Sequence, residues 1–391
     1  MSDAQPVKTV AFFFALIGLV VVLSLISGRL WGGKTETIPA PGEWTIRDGM
    51  TLKEFARANG LPSPLMKELF GLQTQSDFEK RLSEYGTADQ VKLLVMKKIA
   101  LAAEHETKNW LKIRIKFFLW FIFLTGVFLL FRRRKALPVL RNSTLFAAVV
   151  IFGVIMGSDP SPMGTVKDAI HLYGSAGAVF LPRMIAFAIF LVIVFIANKY
   201  ICAWGCQVGV LQDLIFRINQ TAGRKAVIGR QVKVPFVYSN GVRAVFLGLF
   251  TVVAFTWGLD IIDPIDPFKI YKPAYLTLTG AAFVGMLLIL SLFIYRPWCH
   301  FFCPFGLVGW LVEKAGRVRI IVDYQTCIAC LKCVSACPST VMGAILKQDK
   351  KTIPDCFACY ACRDVCPTES IDFSTGKRIL PPPGHFERKK G

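Results

Sequence analysis

The stretch Cys327-Ile-Ala-Cys330-Leu-Lys-Cys333-Val-Ser-Ala-Cys337-Pro338 has a second copy 17 residues later, Cys356-Phe-Ala-Cys359-Tyr-Ala-Cys362-Arg-Asp-Val-Cys366-Pro367. Both copies have the spacing C-x2-C-x2-C-x3-C-P. The short spacers allow one loop to present three thiolates to the corners of a cube, and iron in such clusters prefers sulfur ligands. Zinc sites use four ligands in two pairs, so two zinc knuckles, like a disulfide framework, fit the duplicated spacing poorly.

This spacing is that of a bacterial two-cluster ferredoxin, in which the fourth cysteine of each run binds the other cluster. We therefore predict two [4Fe-4S] clusters in a C-terminal α+β ferredoxin module. The predicted ligands are Cys327, Cys330, Cys333 and Cys366 for the first cluster, and Cys356, Cys359, Cys362 and Cys337 for the second.

The chain as a whole has the composition of a membrane protein. Of its 391 residues 54% are hydrophobic and 32 are Phe, which is too apolar for an ordinary soluble protein. The net charge is +20, but much of the basic excess flanks apolar segments, where it orients membrane helices. No nucleic-acid motif occurs, so we expect no nucleic-acid partner.

Six apolar runs predict a membrane α-helical bundle of about six transmembrane helices. The runs are 10–27, 117–131, 144–156, 184–197, 244–259 and 275–295. Cleavage of the first run as a signal peptide is the alternative to an N-terminal anchor. The predicted domains are an N-terminal helix (1–27), an extracytoplasmic helical domain (28–116), a membrane domain (117–310), the ferredoxin module (311–375) and a basic tail (376–391).

The distribution of charged residues and the chemistry of the thiols predict the same orientation of the chain in the membrane. Segment 132–143 has five Lys or Arg and no acidic residue, and segment 198–243 has seven against one. The loops 159–183 and 260–273 have two cations each, against two and three acidic residues. Since cytoplasmic loops carry the cationic excess, we expect a multi-pass protein of the cytoplasmic membrane. All 12 cysteines then face the reducing cytoplasm, and 28–116 lies outside.

The segment 28–116 is polar and contains repeated helix-start patterns. Thr51-x-x-Glu54, Ser76-x-x-Glu79 and Thr87-x-x-Gln90 are predicted capping boxes. The segment has no cysteine and a single histidine, His105. We therefore predict a small helical domain for docking or spacing, without a cofactor.

The membrane domain contains an internal repeat. Cys202-Ala-Trp-Gly-Cys206-Gln-Val-Gly209-Val210 follows the fourth run, and Cys299-His-Phe-Phe-Cys303-Pro-Phe-Gly306-Leu307 follows the sixth. The shared frame C-x3-C-x2-G indicates a duplicated helix pair that ends in a cysteine pair at the inner surface. If helical, this spacing places both thiols on one face. The four thiols could hold a further Fe–S cluster, bind copper or zinc, or cycle between dithiol and disulfide. Inert structural thiols are the simpler alternative.

The sequence gives little indication of other cofactors. None of the four histidines lies in the middle of a run, and C-x-x-C-H, P-loop and dinucleotide-binding motifs do not occur. A quinone is a candidate partner near the predicted outer loops, although plain loop solvation is the simpler alternative. The polar residues that collect there are Arg183, Asp159, Asp260, Asp263 and Tyr271.

The combination of these motifs resembles the NapH/NosR/CcoG group of membrane polyferredoxins. The matching features are the loops 157–160 and 258–264, the paired C-x3-C frames and the ferredoxin runs. The group's pattern has proline after each pair; Pro304 matches it, whereas Gln207 replaces the first proline. The resemblance implies an electron-transfer or assembly component with a cytoplasmic ferredoxin module, and a NapH-like role is the nearest fit.

We predict an integral membrane iron–sulfur protein that passes single electrons between a membrane donor or acceptor, with quinol as a candidate, and a redox partner protein. We expect a subunit or partner of an oxidoreductase system, not a self-contained enzyme. Two alternatives stay open. One is a copper-handling factor for oxidase assembly that uses the C-x3-C cysteines, and the other is an Fe–S redox sensor.

Overall fold

The computed structural model describes residues 4–31, 45, 47, 49–61, 63–74, 76–132, 138–221, 225–347 and 355–386. Helices make up most of this part of the chain, and a two-stranded sheet lies near its C-terminal end. Three predicted features fall partly outside the described residues: the cations at 133–135, the start of the outer domain at 32–44, and residues 387–391 of the basic tail.

In chain order the helices are α1 (Ala4–Leu30), α2 (Leu52–Ala58), α3 (Ser63–Phe70), α4 (Ala88–Glu106), α5 (Trp110–Arg132), α6 (Pro138–Ala148), α7 (Pro162–Ala176), α8 (Leu181–Ala197), α9 (Tyr200–Trp204), α10 (Gln207–Ile218), α11 (Phe236–Trp257), α12 (Leu278–Leu290), α13 (Pro297–Phe301), α14 (Pro304–Ala315), α15 (Lys332–Ala336), α16 (Val341–Lys347) and α17 (Ala361–Asp364). A π-helical segment, Val149–Ile155, continues α6. Short 3-10 helices cover Ser76–Glu79, Leu82–Tyr85, Asp263–Ile265, Pro267–Tyr271 and Pro273–Tyr275. The strands are β1 (Arg319–Val322) and β2 (Ile371–Ser374).

Three helical segments are long and apolar enough to cross a membrane: Gln5–Leu30, Trp110–Phe131 and Phe236–Trp257. At 1.5 Å per residue each is at least about 33 Å long, which matches the hydrocarbon core of a bilayer. The shorter apolar helices Val139–Ile155, Leu181–Ala197 and Leu278–Leu290 correspond to the third, fourth and sixth predicted runs. Three membrane-length helices are thus found, and the bundle of six spans stays a prediction.

The predicted outer domain contains a compact helical unit formed by α2, α3 and α4. Its core buries apolar side chains of all three helices, among them Leu52, Phe55, Met66, Leu69, Val91 and Val95. This core supports the predicted helical character of 28–116. The location of the unit outside the membrane stays a prediction, as does its docking or spacing role.

Two of the three predicted capping boxes form in this unit. Thr51 caps α2 and Thr87 caps α4, each with the reciprocal side-chain bond from the third helical residue. The box predicted at Ser76 is wrong, because Ser76 lies inside a 3-10 helix. There the Asp77 carboxylate accepts a hydrogen bond from the backbone N–H of Thr74 at 2.9 Å and so organises the turn.

The membrane domain contains two equivalent units. Helices α8, α9 and α10 have 17, 5 and 12 residues, and helices α12, α13 and α14 have 13, 5 and 12. The first cysteine of each pair lies in the five-residue helix, and the second is the N-cap of the 12-residue helix. No single helix runs through both thiols of a pair, because an extended residue, Cys206 or Cys303, separates the two helices. The argument that a helical pair would share one face therefore does not apply.

The C-terminal module is closed by the two strands. β1 and β2 pair in antiparallel fashion from Arg319↔Ser374 to Val322↔Ile371, on either side of the two cysteine runs. Two predicted domain boundaries fall inside helices, because α5 runs through residue 116 and α14 runs through residue 310. Continuous helices thus connect the membrane domain to its neighbours on both sides.

Candidate metal centres

The eight cysteines of the ferredoxin runs surround two separate cavities. The first cavity encloses about 360 Å³ and is lined by Cys327, Cys330, Cys333 and Cys366. The second encloses about 370 Å³ and is lined by Cys337, Cys356, Cys359 and Cys362. In each cavity three cysteines come from one run and the fourth comes from the other. The residues around each cavity therefore fit a cubane with four thiolate ligands.

Both runs bend around their cavities in the same way. Ala329 and Leu331 in the first run have φ angles of 54° and 55°, and Ala358 and Tyr360 at the same places in the second have 50° and 58°. Left-handed backbone at non-glycine residues is strained and clusters at functional sites. These residues turn the loop so that three successive thiols point to one centre.

Burial makes these thiols depend on a positively charged ligand. It raises the pKa of Cys333 to about 11 and the pKa of Cys356 and Cys362 well above the usual thiol value. Metal ligands must be deprotonated, so bound iron would supply the charge that stabilises the thiolates. Among the described residues, no three His, Cys, Asp or Glu side chains are close enough to hold a single metal ion.

The C-x3-C cysteines, which we call the membrane quartet, are Cys202, Cys206, Cys299 and Cys303. All four are buried in the main hydrophobic core. Trp120, near the middle of α5, donates from Nε1 to the carbonyl oxygen of Gly205 at 3.0 Å. Since Gly205 precedes Cys206, the quartet lies beside the middle of α5. The quartet also approaches the last turn of α5, because the Trp204 ring lies 4.7 Å from the Phe131 ring. Its predicted position at the inner membrane surface stays a prediction.

Steric constraints explain why glycine occupies the last position of the C-x3-C-x2-G frame. A Cβ atom at Gly209 would lie 2.8 Å from the carbonyl oxygen of Cys202, and one at Gly306 would lie 3.0 Å from that of Cys299. Any side chain at these positions would push the two cysteines of a pair apart. The repeat therefore conserves a close approach of backbone to backbone within each unit.

The second ferredoxin loop packs directly on the membrane quartet. Asp355 forms a buried ion pair with Lys199 and accepts a hydrogen bond from Arg243 at 2.9 Å. Trp204, between the first two quartet cysteines, donates from its indole Nε1 to the carbonyl oxygen of Ala358 at 3.3 Å. The Phe357 ring lies 5.3 Å from the His300 ring. The second cavity and the quartet are thus adjacent.

His300 lies between the two cysteines of the second C-x3-C pair. It is buried, and its Nδ1 lies 3.2 Å from the carbonyl oxygen of Arg296. It packs between the quartet and the ferredoxin loop.

A further cavity of about 500 Å³ lies at the first turns of α5. Its walls include the aromatic residues Trp110, Phe117 and Phe180 and the charged residues Asp159, Asp168 and Arg183. The structure therefore places the residues predicted for a quinone site in three different surroundings. Arg183 and Asp159 line this cavity, Asp260 and Asp263 surround Lys167, and the buried Tyr271 donates to the carbonyl oxygen of Gln207 at 2.9 Å.

The buried charges around the quartet were not predicted from the sequence. Lys199, Arg243, Arg296, Asp213 and Asp355 are each no more than 2% exposed. One sequence signal could have found two of them, since Lys199 and Arg296 both stand three residues before the first cysteine of a pair. No comparable sequence signal identifies Asp213, Arg243 or Asp355.

Comparison with known families agrees with these centres. Residues 319–367, which include all eight ferredoxin cysteines, match a family described as a 4Fe-4S dicluster domain. Residues 179–229 and 276–321 match a family described as a 4Fe-4S binding domain, and each segment contains one C-x3-C pair. The chain therefore carries 4Fe-4S ferredoxin-type domains.

Curated proteins similar to the chain include the "Putative electron transport protein YccM" of Escherichia coli. The two are 30% identical over 215 residues, which cover 52% of this chain and 59% of that protein. The "Methylamine utilization ferredoxin-type protein MauN" of Methylobacillus flagellatus is 24% identical over 148 residues, 36% of this chain and 48% of that protein. An uncharacterized protein of Methanocaldococcus jannaschii is 22% identical over 261 residues, 91% of its length. No solved structure gives a significant match.

The chain thus spans only about half to three-fifths of the first two relatives. The matches support an iron–sulfur protein of electron transport with apolar helices consistent with membrane insertion. The narrower NapH/NosR/CcoG assignment stays a resemblance.

Proposed function

We propose that this protein is an integral membrane electron carrier that connects a quinone site at one end of α5 with a redox partner protein at the other. The observation that carries the proposal is the course of α5. Trp110 and Phe117 in its first turns line the 500 Å³ cavity. Phe131 in its last turn stacks on Tyr360 of the second ferredoxin loop, with ring centroids 6.1 Å apart.

The two ends of α5 are separated by the thickness of a membrane. From Trp110 to Phe131 the helix rises about 32 Å. Arg363 donates to the carbonyl oxygen of Phe131 at 3.3 Å, which fixes the ferredoxin module to the second end. The proposal therefore puts the cavity and the ferredoxin module on opposite sides of the bilayer, with α5 as the helix that crosses it.

The composition of the cavity fits a quinone ring. Aromatic side chains form part of its wall, and Asp168 and Arg183 supply polar groups, a combination that occurs in small-molecule sites. Among the described residues, Trp110 Nε1 and Arg183 Nη1 are buried donors without a hydrogen-bond partner. Buried donors without partners are costly, and a quinone carbonyl oxygen would accept from them. The other nitrogen of the fork, Arg183 Nη2, is held by Glu104 at 2.7 Å.

Bound [4Fe-4S] clusters would each accept and release one electron. Reduction of a quinone to the hydroquinone takes two electrons and two protons, so two one-electron transfers match one quinone. The residues of the chain bind the ring, fix its carbonyl groups and hold the ferredoxin loop against the membrane core. The first cavity, with the exposed Cys330, is the side open to a partner protein.

Reoxidation of the chemically reduced protein by a soluble short-chain quinone tests this function. Absorbance in the visible range would follow the clusters. We expect wild type to be reoxidised, and Ala186→Phe, which fills the cavity that Ala186 lines, to require at least about tenfold more quinone. Ala188→Phe is the matched control, because Ala188 is exposed on α8. Equal quinone dependence in all three proteins would contradict the proposed site.

The copper-handling alternative predicts a different result. In that case the purified protein would bind copper through the membrane quartet, and substitution of the four cysteines by serine would abolish copper binding. Unchanged copper binding together with lost electron transfer in this variant supports the electron carrier.

A further inference from the structure

We infer that the tail after β2 is a functional part of the first cluster site: residues 376–386 return over the ferredoxin module, and the Phe386 ring covers the first cavity against water. The match to the dicluster family ends at residue 367, so the tail lies outside the matched domain. The inference goes beyond the proposed electron path, because it concerns what sets the potential and the oxygen stability of one cluster. It does not depend on the quinone site.

The two ferredoxin cavities differ in the aromatic side chains around them. The second cavity is lined by four aromatic residues, Tyr295, Phe357, Tyr360 and Phe373. Tyr295 directly precedes the short helix α13, so the membrane domain contributes to this lining. Among the described residues that line the first cavity, Phe386 is the single aromatic one. The tail thus supplies to the first cavity the kind of cover that the core supplies to the second.

Two contacts fasten the tail to the ferredoxin sheet. Arg378 donates from Nε to the carbonyl oxygen of Ile320 in β1 at 3.0 Å. Shortly before it, Gly376 packs so closely on the sheet that a Cβ atom there would lie 2.8 Å from Ile321 Cδ1. The chain therefore does not leave the module where β2 ends, but continues across β1.

A Pro-Pro-Gly sequence then turns the chain just before Phe386. The backbone N–H of His385 donates to the carbonyl oxygen of Pro382 at 3.1 Å, and Gly384 has a φ angle of 73°. Proline followed by a glycine with left-handed backbone is the pattern of a type II turn. Another residue at Gly384 would be strained. Because proline restricts the unfolded chain, ordering this turn costs less conformational entropy.

Ring contacts hold the end of the tail in place. Tyr324 lies between β1 and the first cysteine run. Its ring centroid is 5.5 Å from that of His385 at an interplanar angle of 81°, and 6.2 Å from that of Phe386 at 77°. The His385 and Phe386 rings are 4.9 Å apart at 89°. Such edge-to-face pairs are favourable beyond the burial of area, so Phe386 has a defined position at the cavity.

The tail covers one part of the first cavity and leaves another part open. Phe386 packs in the apolar cluster that contains the other three cysteines of this cavity. Cys330 is exposed, and the neighbouring Ile328 and Leu331 are 62% and 44% exposed. A partner protein therefore has access beside Cys330, whereas the tail excludes water beside Phe386.

This shielding has a definite effect on a cluster bound in the first cavity. A [4Fe-4S] cluster with four thiolate ligands is an anion, and reduction increases its negative charge. Water stabilises the more highly charged state, whereas apolar surroundings disfavour it. Solvent exposure is among the factors that set cluster potentials. Phe386 should therefore lower the reduction potential of the first cluster and slow its attack by oxygen.

Redox titration of the full-length protein, followed by EPR, tests the role of Phe386. The signal that Cys330→Ser changes identifies the first cluster. We expect Phe386→Ala to shift the potential of this cluster upward and to leave that of the second cluster unchanged. The half-life of the first cluster in air should also fall severalfold.

Two further variants serve as controls. Phe386→Tyr keeps a ring at this position and should restore the wild-type potential and air stability. Leu380→Ala lies on the same tail and should behave as wild type, since Leu380 is 64% exposed. Iron content and thermal unfolding of each variant show whether the module is folded.

Equal potentials and equal air stability of the first cluster in Phe386→Ala and wild type would overturn the inference. So would an equal change in both clusters, or the loss of both, because Phe386 would then stabilise only the module as a whole. Loss of the first cluster alone supports the inference, since the ring is then needed to hold it. The quinone dependence of reoxidation tests the proposed function separately, so the two can fail independently.

Discussion

Asp355 Oδ2 accepts a hydrogen bond from Arg243 Nη2 at 2.9 Å, and the opposite oxygen of the same carboxylate pairs with Lys199. Asp355 directly precedes the first cysteine of the second ferredoxin run, whereas Arg243 lies in a membrane-length helix. Burial alone would raise the pKa of Asp355, but the two cations lower it. A fully buried ion triad thus joins the ferredoxin module to the membrane-length helix α11.

Replacement of the Asp355 carboxylate should weaken the contact between the ferredoxin module and α11. We expect Asp355→Asn to destabilise the protein by about 3–5 kcal/mol, because the substitution leaves two buried cations without their counterion. Thermal unfolding in detergent measures the loss. Asp372→Asn is the control, since the Asp372 side chain is 65% exposed and its contact with Arg363 is 3.8 Å long. Equal stability of the two variants would contradict a structural role of the triad.

The glycines of the C-x3-C-x2-G frame should not accept a side chain. In Gly306→Ala the new Cβ would lie 2.8 Å from Arg243 Nη1 and 3.0 Å from the carbonyl oxygen of Cys299. We expect a loss of about 1–3 kcal/mol from overpacking. Gly248→Ala in α11 is the matched control, because a Cβ there meets nothing within 4 Å and alanine favours a helix. If Gly306→Ala were as stable as Gly248→Ala, the tight approach would not matter.

Cross-ligation of the two ferredoxin clusters gives a distinctive pair of phenotypes. Cys337→Ser, although it lies in the first run, should change the EPR signal of the cluster bound mainly by the second run. Cys366→Ser, in the second run, should change the signal of the first cluster. Cys330→Ser and Cys359→Ser identify the two signals, because each lies at the centre of its own run. If Cys337→Ser changed the same EPR signal as Cys330→Ser, cross-ligation would be refuted.

The acidic residues around Lys167 should make stability depend on pH. Burial raises the pKa of Asp266 from 3.8 to about 6, although Lys167 lies 3.6 Å away. A raised pKa means that the fold favours the protonated carboxyl. Its stabilising contribution is complete below pH 3.8 and is lost as the pH rises through 6. The loss is at most about 3 kcal/mol.

Asp266→Asn imitates the protonated form and should reveal this dependence. We expect the variant to exceed wild type in thermal stability at pH 7.5 and to keep only about half of this advantage at pH 5, because the folded-state pKa of Asp266 is about 6 and the unfolded value is 3.8. Comparison of the two proteins at each pH cancels the effect of acid on bound clusters. An advantage that is constant between pH 5 and 7.5 would show that Asp266 keeps an ordinary pKa.

The ferredoxin cavities could be anticipated because covalent spacing limits which thiols can share a cubane. The apolar runs likewise indicated the helices, since hydrophobic length is a local property of the sequence. Two of three capping boxes formed for the same reason, whereas at Ser76 the neighbouring Asp77 competed successfully for the backbone. In these cases the determining interactions lie within a few residues.

The parts that could not be predicted depend on contacts between distant residues. Arg243 and Asp355 are 112 positions apart, and Arg296 and Asp213 are 83 apart. The burial of the membrane quartet arises because α9 and α13 fold back into the core, which the C-x3-C spacing does not specify. The cavity proposed for a quinone similarly needs α5, α7 and α8 together, so only Arg183 and Asp159 of the predicted residues line it.

EPR of the reduced full-length protein, prepared without oxygen, tests the central claim most directly. The account predicts signals of two neighbouring [4Fe-4S] clusters that interact magnetically, since the second and first cavities share the same small module. It also predicts that both survive substitution of the membrane quartet by serine. A colourless, iron-free protein, or one whose eight ferredoxin cysteines bind zinc, would contradict the account.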